Sequence, residues 1–119
     1  MSVAIVVLAA LAQGATSLVD AAARQDWPAV RVLVGDGADV NIPRADGVTA
    51  LLWAAHWDNL ETVKLLLDTG ADPNVADDHG VTSLMRACEN ASVEVVRVLL
   101  EAGANPNAAQ TSGLTALML

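Results

Sequence analysis

Gly70-Ala71-Asp72-Pro73-Asn74 is the stretch that decides the fold, because the same pattern stands one period away on either side. It occurs 33 residues earlier as Gly37-Ala38-Asp39-Val40-Asn41 and 33 residues later as Gly103-Ala104-Asn105-Pro106-Asn107. Apolar positions keep the same step, as in Leu18, Leu51, Leu84 and Leu117. A fixed period of this length is typical of a repeat protein whose units fold only when they stack on one another.

The composition predicts a closely packed helical interior. Hydrophobic residues form 54% of the 119-residue chain, yet Phe and Tyr are absent, so the interior must consist of Ala, Leu and Val. Side chains this small suit helices that approach closely. Fourteen acidic and six basic residues give a net charge of −8, which repels phosphate backbones and anionic membrane surfaces. Neither nucleic acid nor stable membrane insertion of the repeats is expected.

Residues 1–16 form an apolar segment that allows different interpretations. The uncharged run over residues 3–12 is too short to span a bilayer. Ala10-Leu11-Ala12 offers a signal-peptide cleavage site, although no Lys or Arg precedes the run. The favoured interpretation is a cleaved leader and a periplasmic or secreted protein. The alternatives are a helix that covers the open end of the first repeat in a cytoplasmic protein, or an uncleaved anchor.

Residues 17–119 divide into repeats over about 17–44, 45–77 and 78–110, with a partial fourth repeat over 111–119 that is cut short. Apolar residues at i, i+3 and i+4, such as Leu18, Ala21 and Ala22, predict a first helix in each repeat. The predicted caps at the starts of the second helices are Asp26, Asn59 and Ser92, whose side chains are expected to accept hydrogen bonds from otherwise unpaired amides. The polar stretch after each second helix predicts a tight turn or hairpin finger.

This pattern resembles the ankyrin repeat, whose unit reads D-x-x-G-x-T-P-L-H-x-A-A and then V-v-x-x-L-L-x-x-G-A-d-v-n. The resemblance covers residues 17–119. It implies an all-α solenoid of stacked antiparallel helix pairs joined by short β-turn or hairpin finger loops. It also implies a non-catalytic scaffold that binds other proteins on a concave surface made by the fingers and the inner helices.

The chain departs from that family at the Thr-Pro-Leu-His signature, which here reads Thr49-Ala50-Leu51-Leu52 and Thr82-Ser83-Leu84-Met85. Thr49 and Thr82 are therefore expected to cap their helices alone. The missing histidine ties neighbouring loops in the family, so the repeats are expected to be less rigid. A narrower resemblance, to ankyrin proteins exported by bacteria, lies in the apolar N-terminus, the Ala-rich acidic chain and Leu52-Trp53-Ala54-Ala55-His56-Trp57.

Aromatic side chains of the second repeat stand where other repeats carry charges. Trp53 is in phase with Asp20 and Arg86, and Trp57 is in phase with Arg24. We expect these positions to face solvent on an inner helix, one turn apart. Because Trp is enriched among residues that dominate binding energy, this patch is the predicted contact centre. The predicted contacts on the inner helices are Trp53, His56, Trp57, Arg86, Glu89 and Asn90.

The finger tips supply the predicted rim of the contact surface. The rim residues are Arg44, Ala45, Asp46 and Val48 in the first finger, Asp77, Asp78, His79 and Val81 in the second, and Gln110, Thr111 and Leu114 in the third. Their acidic character favours a protein or peptide partner with a basic surface. Two alternatives remain open. In the first, Trp53 lies between repeats and stacks on Arg86. In the second, the acidic finger residues only form turns.

No pattern in the chain predicts a catalytic residue, a metal site or a cofactor. Cys88 is in phase with Ala22 and Ala55, so it is expected to be a small buried core residue and not a nucleophile. His56 and His79 do not have the spacing of a metal-ligand motif. The glycines fall at repeat-phase turns and form no phosphate-binding loop.

The predicted function is therefore a monomeric, non-catalytic scaffold for protein–protein interaction. One alternative is a regulatory or targeting segment of a larger enzyme or toxin that continues beyond residue 119. The other is a structural array that self-associates end to end through the partial fourth repeat.

Overall fold

The computed structural model describes residues 17–108. The predicted leader or capping helix over residues 1–16 and the partial repeat over residues 111–119 lie outside the described residues. The described part folds as six α-helices in three successive pairs, which confirms the predicted all-α repeat architecture.

The helices form two layers. The pairs are α1 (Leu18–Ala23) with α2 (Trp27–Gly35), α3 (Ala50–His56) with α4 (Leu60–Asp68), and α5 (Ser83–Glu89) with α6 (Val93–Glu101). The first helices α1, α3 and α5 pack side by side in one layer, and the second helices α2, α4 and α6 form the other. None of the helices in residues 17–108 is long and apolar enough to cross a membrane.

The first helices begin at hydroxyl caps. The hydroxyl oxygens of Thr49 and Thr82 each accept a hydrogen bond at 3.4 Å, from the amides of Leu52 and Met85. These bonds satisfy amides that have no partner inside the helix. The prediction that these two threonines cap their helices without the family's histidine is thus confirmed.

The second helices begin at Asp26, Asn59 and Ser92, but only the first two side chains cap. Asn59 Oδ1 accepts from the amide of Thr62 at 3.0 Å. The expectation that Ser92 acts in the same way is wrong, because its hydroxyl makes no cap hydrogen bond and is buried with no partner among residues 17–108.

The turn inside each pair uses a left-handed residue that is not glycine. Gln25, Asp58 and Ala91 have φ values of 59°, 56° and 55°. The residue that follows each of them donates its amide to a carbonyl of the first helix, which closes the turn. This conformation costs about 1 kcal/mol at a residue with a Cβ, so the packing of the helix pair maintains it.

The core consists of small and medium-sized aliphatic side chains, as the composition predicts. Ala21, Ala54 and Ala87 are fully buried where the first helices meet. Leu66 and Leu99 are fully buried on the second helices. Alanines at the helix contacts let the backbones approach, and the leucines fill the space between the two layers.

Asparagine side chains tie each repeat to the next. Asn41 Nδ2 donates to the carbonyl of Gly70 at 3.0 Å, while Asn41 Oδ1 accepts from the amide of Asp72 at 2.7 Å. Asn74 makes the same two bonds to the third repeat, at 3.0 and 2.7 Å. Neighbouring loops are therefore joined by side chains even though the signature histidine is absent.

The finger loops are short turns that contact each other. The first finger closes on a hydrogen bond of 2.9 Å from the amide of Arg44 to the carbonyl of Val48, and the second closes in the same way. An isolated antiparallel bridge between Ala76 and Thr82 lies at the base of the second finger. The amide of Asp78 donates to the carbonyl of Asp46 at 3.0 Å, which fixes the two fingers against one another.

Candidate partner-binding surface

Trp53, His56 and Trp57 form one aromatic cluster at the end of α3. The two indoles stack with centroids 6.2 Å apart and an interplanar angle of 17°. The imidazole of His56 lies edge-on to both, at 5.5 Å from Trp53 and 4.8 Å from Trp57. Helical spacing of three and four residues places them on one face, as the sequence predicts.

The aromatic cluster is partly exposed to solvent. Trp57 is 39% exposed, while Trp53 and His56 are half-buried. Trp53 stacks on Trp57, and the guanidinium of Arg86 instead pairs with Glu89 at 3.2 Å. The alternative in which Trp53 stacks on Arg86 is therefore not what the structure shows. The Trp53 Nε1–H group is buried and meets no acceptor within residues 17–108, so packing alone orients this indole.

A pocket of about 110 Å³ opens beside the cluster, between the inner helices and the fingers. Its lining residues are Val48, Leu52, Trp53, His56, Asp77 and Arg86. Val48 and Asp77 come from successive fingers, while Arg86 comes from α5. The pocket thus exists only because the second and third repeats stack.

Carboxylates outnumber guanidinium groups around this pocket. Arg86 is paired with Glu89, and Arg44 lies 3.9 Å from Asp46. The carboxylate of Asp77 accepts from the amides of His79 and Val81 through Oδ1, at 2.8 and 3.0 Å. No cation in residues 17–108 pairs with Asp77 or Asp78, so the surface is negative here.

Most of the predicted contact residues gather around this one surface, but two have structural roles. Val81 is only 7% exposed, so the expectation that it lines the rim is wrong. It lies at the base of its finger and packs into the core. Asn90 is exposed, but its amide donates to carbonyls at the end of α3 and so joins two repeats. His79 and Asp78 remain exposed at the finger tip.

Leu52 is the pocket residue that sequence reasoning missed as a contact. It is 3% exposed and forms part of the pocket wall. The available signal was its position, since it replaces the histidine of the signature and is the third residue of α3. The leucine side chain adds no hydrogen-bonding group to its part of the pocket wall.

Cys88 is half-buried and packs against the core, so it is less enclosed than expected. Burial raises the pKa of its thiol, which disfavours the nucleophilic thiolate at neutral pH. Among residues 17–108, no group of three or more His, Cys, Asp and Glu side chains is placed to hold a metal ion.

Comparison with known families agrees with this architecture. The family model for ankyrin repeats (three copies) matches residues 18–110. The chain belongs to the ankyrin-repeat family. Ankyrin repeats are generally protein–protein interaction modules and are typically non-catalytic. A search of curated proteins finds no relative that matches this chain.

In ankyrin terms, the aromatic cluster lies on a first helix, and the pocket lies between two first helices and two fingers. The substitutions in the signature shape this surface. Leu52 takes the histidine position, and Trp53 follows it. The ankyrin framework therefore presents an aromatic and acidic surface on the second and third repeats.

Proposed function

We propose that this ankyrin-repeat chain is a non-catalytic scaffold that binds another protein or peptide through the aromatic cluster and the adjacent pocket. The observation that carries the proposal is Trp57, a large side chain that is 39% exposed and stacked on a second indole beside a concave pocket. Exposed aromatic groups of this kind are the usual anchors of interfaces. Stacking also holds Trp57 in place, so little side-chain entropy is lost when a partner covers it.

The electrostatics support a basic partner. The chain carries a net charge of −8, and Asp77 and Asp78 lie next to the cluster without a cationic partner among the described residues. Such a surface attracts exposed Lys and Arg side chains and repels acidic proteins. The association rate should therefore fall as salt is raised.

The test is capture of a partner by wild type, Trp57→Ala and Val93→Ala, followed by quantitative mass spectrometry. Val93 is a matched control, because it is also an exposed apolar residue, 70% exposed, but lies on α6 in the other layer. Proteins that bind the cluster should be captured by wild type and Val93→Ala and lost with Trp57→Ala. For a purified partner, loss of a Trp anchor should raise Kd about 30-fold.

All three proteins must give the same helical circular-dichroism signal. If Trp57→Ala unfolds the chain, Trp57 is part of the core and the surface assignment is wrong. If Trp57→Ala and wild type capture the same proteins in the same amounts, the contact surface lies elsewhere. We expect the scaffold to be monomeric, so its sedimentation coefficient should not change with concentration.

A further inference from the structure

We propose that the pocket between Trp53 and Asp77 receives a single lysine side chain from the bound partner. This inference rests on the proposed function and assigns a chemical identity to the group that the scaffold recognises.

The size and walls of the pocket suit a slender aliphatic chain. Its volume is about 110 Å³, and Val48, Leu52 and the indole of Trp53 provide an apolar wall. An engineered cavity of about 150 Å³ holds benzene, so this pocket is small for an aromatic ring. A lysine side chain buries its methylene stem against apolar surface while its ammonium group stays at a polar edge.

The polar edge carries the charge that an ammonium group requires. Asp77 accepts both of its finger hydrogen bonds through Oδ1, and within residues 17–108 no donor bonds Oδ2, which can therefore accept from a ligand. Asp78 follows Asp77 at the same finger, with its Oδ1 beside Gly47. A purely aliphatic group would take water from the Asp77 carboxylate without replacing its hydrogen bonds, which is unfavourable.

The arginine in the pocket wall does not reverse this preference. The guanidinium of Arg86 is paired with Glu89 at 3.2 Å, so its positive charge is compensated locally. The face of the Trp53 indole adds attraction for a cation near the wall. Lysine suits the site better than arginine, because its ammonium is compact and the guanidinium is a wide planar group.

Small probes that reproduce the stem test this assignment directly. Butylammonium carries the lysine side chain, 1-butanol carries the same stem without charge, and butyrate carries a negative charge. Each is titrated into the protein while the methyl resonances of Val48 and Leu52 are followed by NMR. We expect butylammonium to shift both residues and to bind about fivefold more tightly than 1-butanol, with butyrate weakest. The difference in affinity between butylammonium and 1-butanol should decrease at high salt.

Two charge variants test whether Asp77 causes the preference for butylammonium over 1-butanol. Asp77→Asn keeps an oxygen for the finger hydrogen bonds but removes the charge, and should abolish the preference for butylammonium. Asp36→Asn removes one exposed charge beyond the end of α2 and should leave the preference intact. The methyl resonances of unbound Asp77→Asn report whether its pocket is still formed.

The outcomes are distinguishable from failure of the proposed function. If 1-butanol or butyrate binds as tightly as butylammonium, or if no probe shifts Val48 and Leu52, the lysine assignment is overturned. Partner capture that still depends on Trp57 would then leave the proposed function standing. If butylammonium binds as expected and Trp57→Ala captures partners normally, the pocket assignment holds and the wider contact surface is wrong.

Discussion

The side-chain amide of Asn90 donates a hydrogen bond of 2.7 Å to the main-chain carbonyl of His56, across the boundary between the second and third repeats. The same Nδ2 lies 3.2 Å from the carbonyl of Ala55. Both carbonyls belong to the last turn of α3, and the carbonyl of Ala55 also accepts from the amide of Asp58 at 3.1 Å. Asn90 therefore closes the helix end that carries the aromatic cluster.

Asn90→Asp should destabilise the fold more than Asn90→Ala. Alanine only removes the hydrogen bonds, which contribute about 1 kcal/mol. Aspartate has the same shape but places a negative charge against two carbonyl oxygens at a helix C-terminus, which adds a further unfavourable term of about 0.5 kcal/mol. Urea unfolding followed by circular dichroism measures both. Arg24→Ala, at the same repeat position in the first repeat, should change the unfolding free energy by less than either variant. Equal stability of all three would show that the Asn90 contact is not stabilising.

Alanine should be tolerated at Ser92 but should be destabilising at Asn59, which holds the same position in the preceding repeat. The Asn59 side chain caps α4, whereas the Ser92 hydroxyl caps nothing and finds no hydrogen-bond partner in the described part of the chain. Asn59→Ala should lower the free energy of unfolding by about 1 kcal/mol. Ser92→Ala removes an unsatisfied polar group and should be neutral or stabilising. Denaturant midpoints of the two variants test this contrast, and a loss at Ser92 as large as that at Asn59 would contradict it.

Alanine substitutions at Gly47 and Gly37 should separate the cost of backbone strain from the cost of steric crowding. Both have positive φ, 83° and 88°. A Cβ at Gly37 would meet nothing within 4 Å, but at Gly47 it would lie 3.1 Å from Asp77 Cα and 3.2 Å from the Asp78 amide nitrogen. Gly37→Ala should therefore cost about 1 kcal/mol from conformation alone, and Gly47→Ala should cost more, because the finger backbones must separate.

Amide hydrogen exchange at Asp78 provides the local readout for the Gly47 prediction. That amide donates to the carbonyl of Asp46 in the neighbouring finger. Gly47→Ala should speed its exchange, and Gly37→Ala should not. Equal exchange in both variants would mean that the fingers accommodate the extra carbon.

Cys88 should react slowly with iodoacetamide at neutral pH. Burial raises the pKa of its thiol above the ordinary value of 9.0, because burial disfavours the charged thiolate. In the folded protein the alkylation rate should therefore rise at a higher pH than in protein unfolded by urea. The thiol's contribution to stability is present below the unfolded pKa and is lost as pH rises through the folded pKa. A folded protein that alkylates at the same pH as the unfolded chain would contradict the assignment.

Much of the fold was predictable because each repeat carries its own local signals. The threonine caps, the starts of the second helices and the glycines after them were all placed correctly from residue chemistry and a period of 33. Ser92 was not, because whether a hydroxyl reaches its amide depends on a backbone and rotamer geometry that residue type does not reveal. Val81 was misassigned for a related reason, since a finger residue can turn inward at the base of its loop.

The amino-acid sequence alone determined the period, the helix pairs and the surface on which the aromatic residues stand, since these depend on local propensity and on apolar spacing. Only the tertiary structure decided that Trp53 stacks on Trp57, that Asn41, Asn74 and Asn90 join neighbouring repeats, and that a pocket forms beside Asp77. These contacts join groups from separate turns or repeats. The asparagine contacts and the pocket depend on how closely the alanine-lined helices stack, a quantity that no single repeat contains, whereas the Trp53–Trp57 stack depends on side-chain rotamers that residue type does not fix.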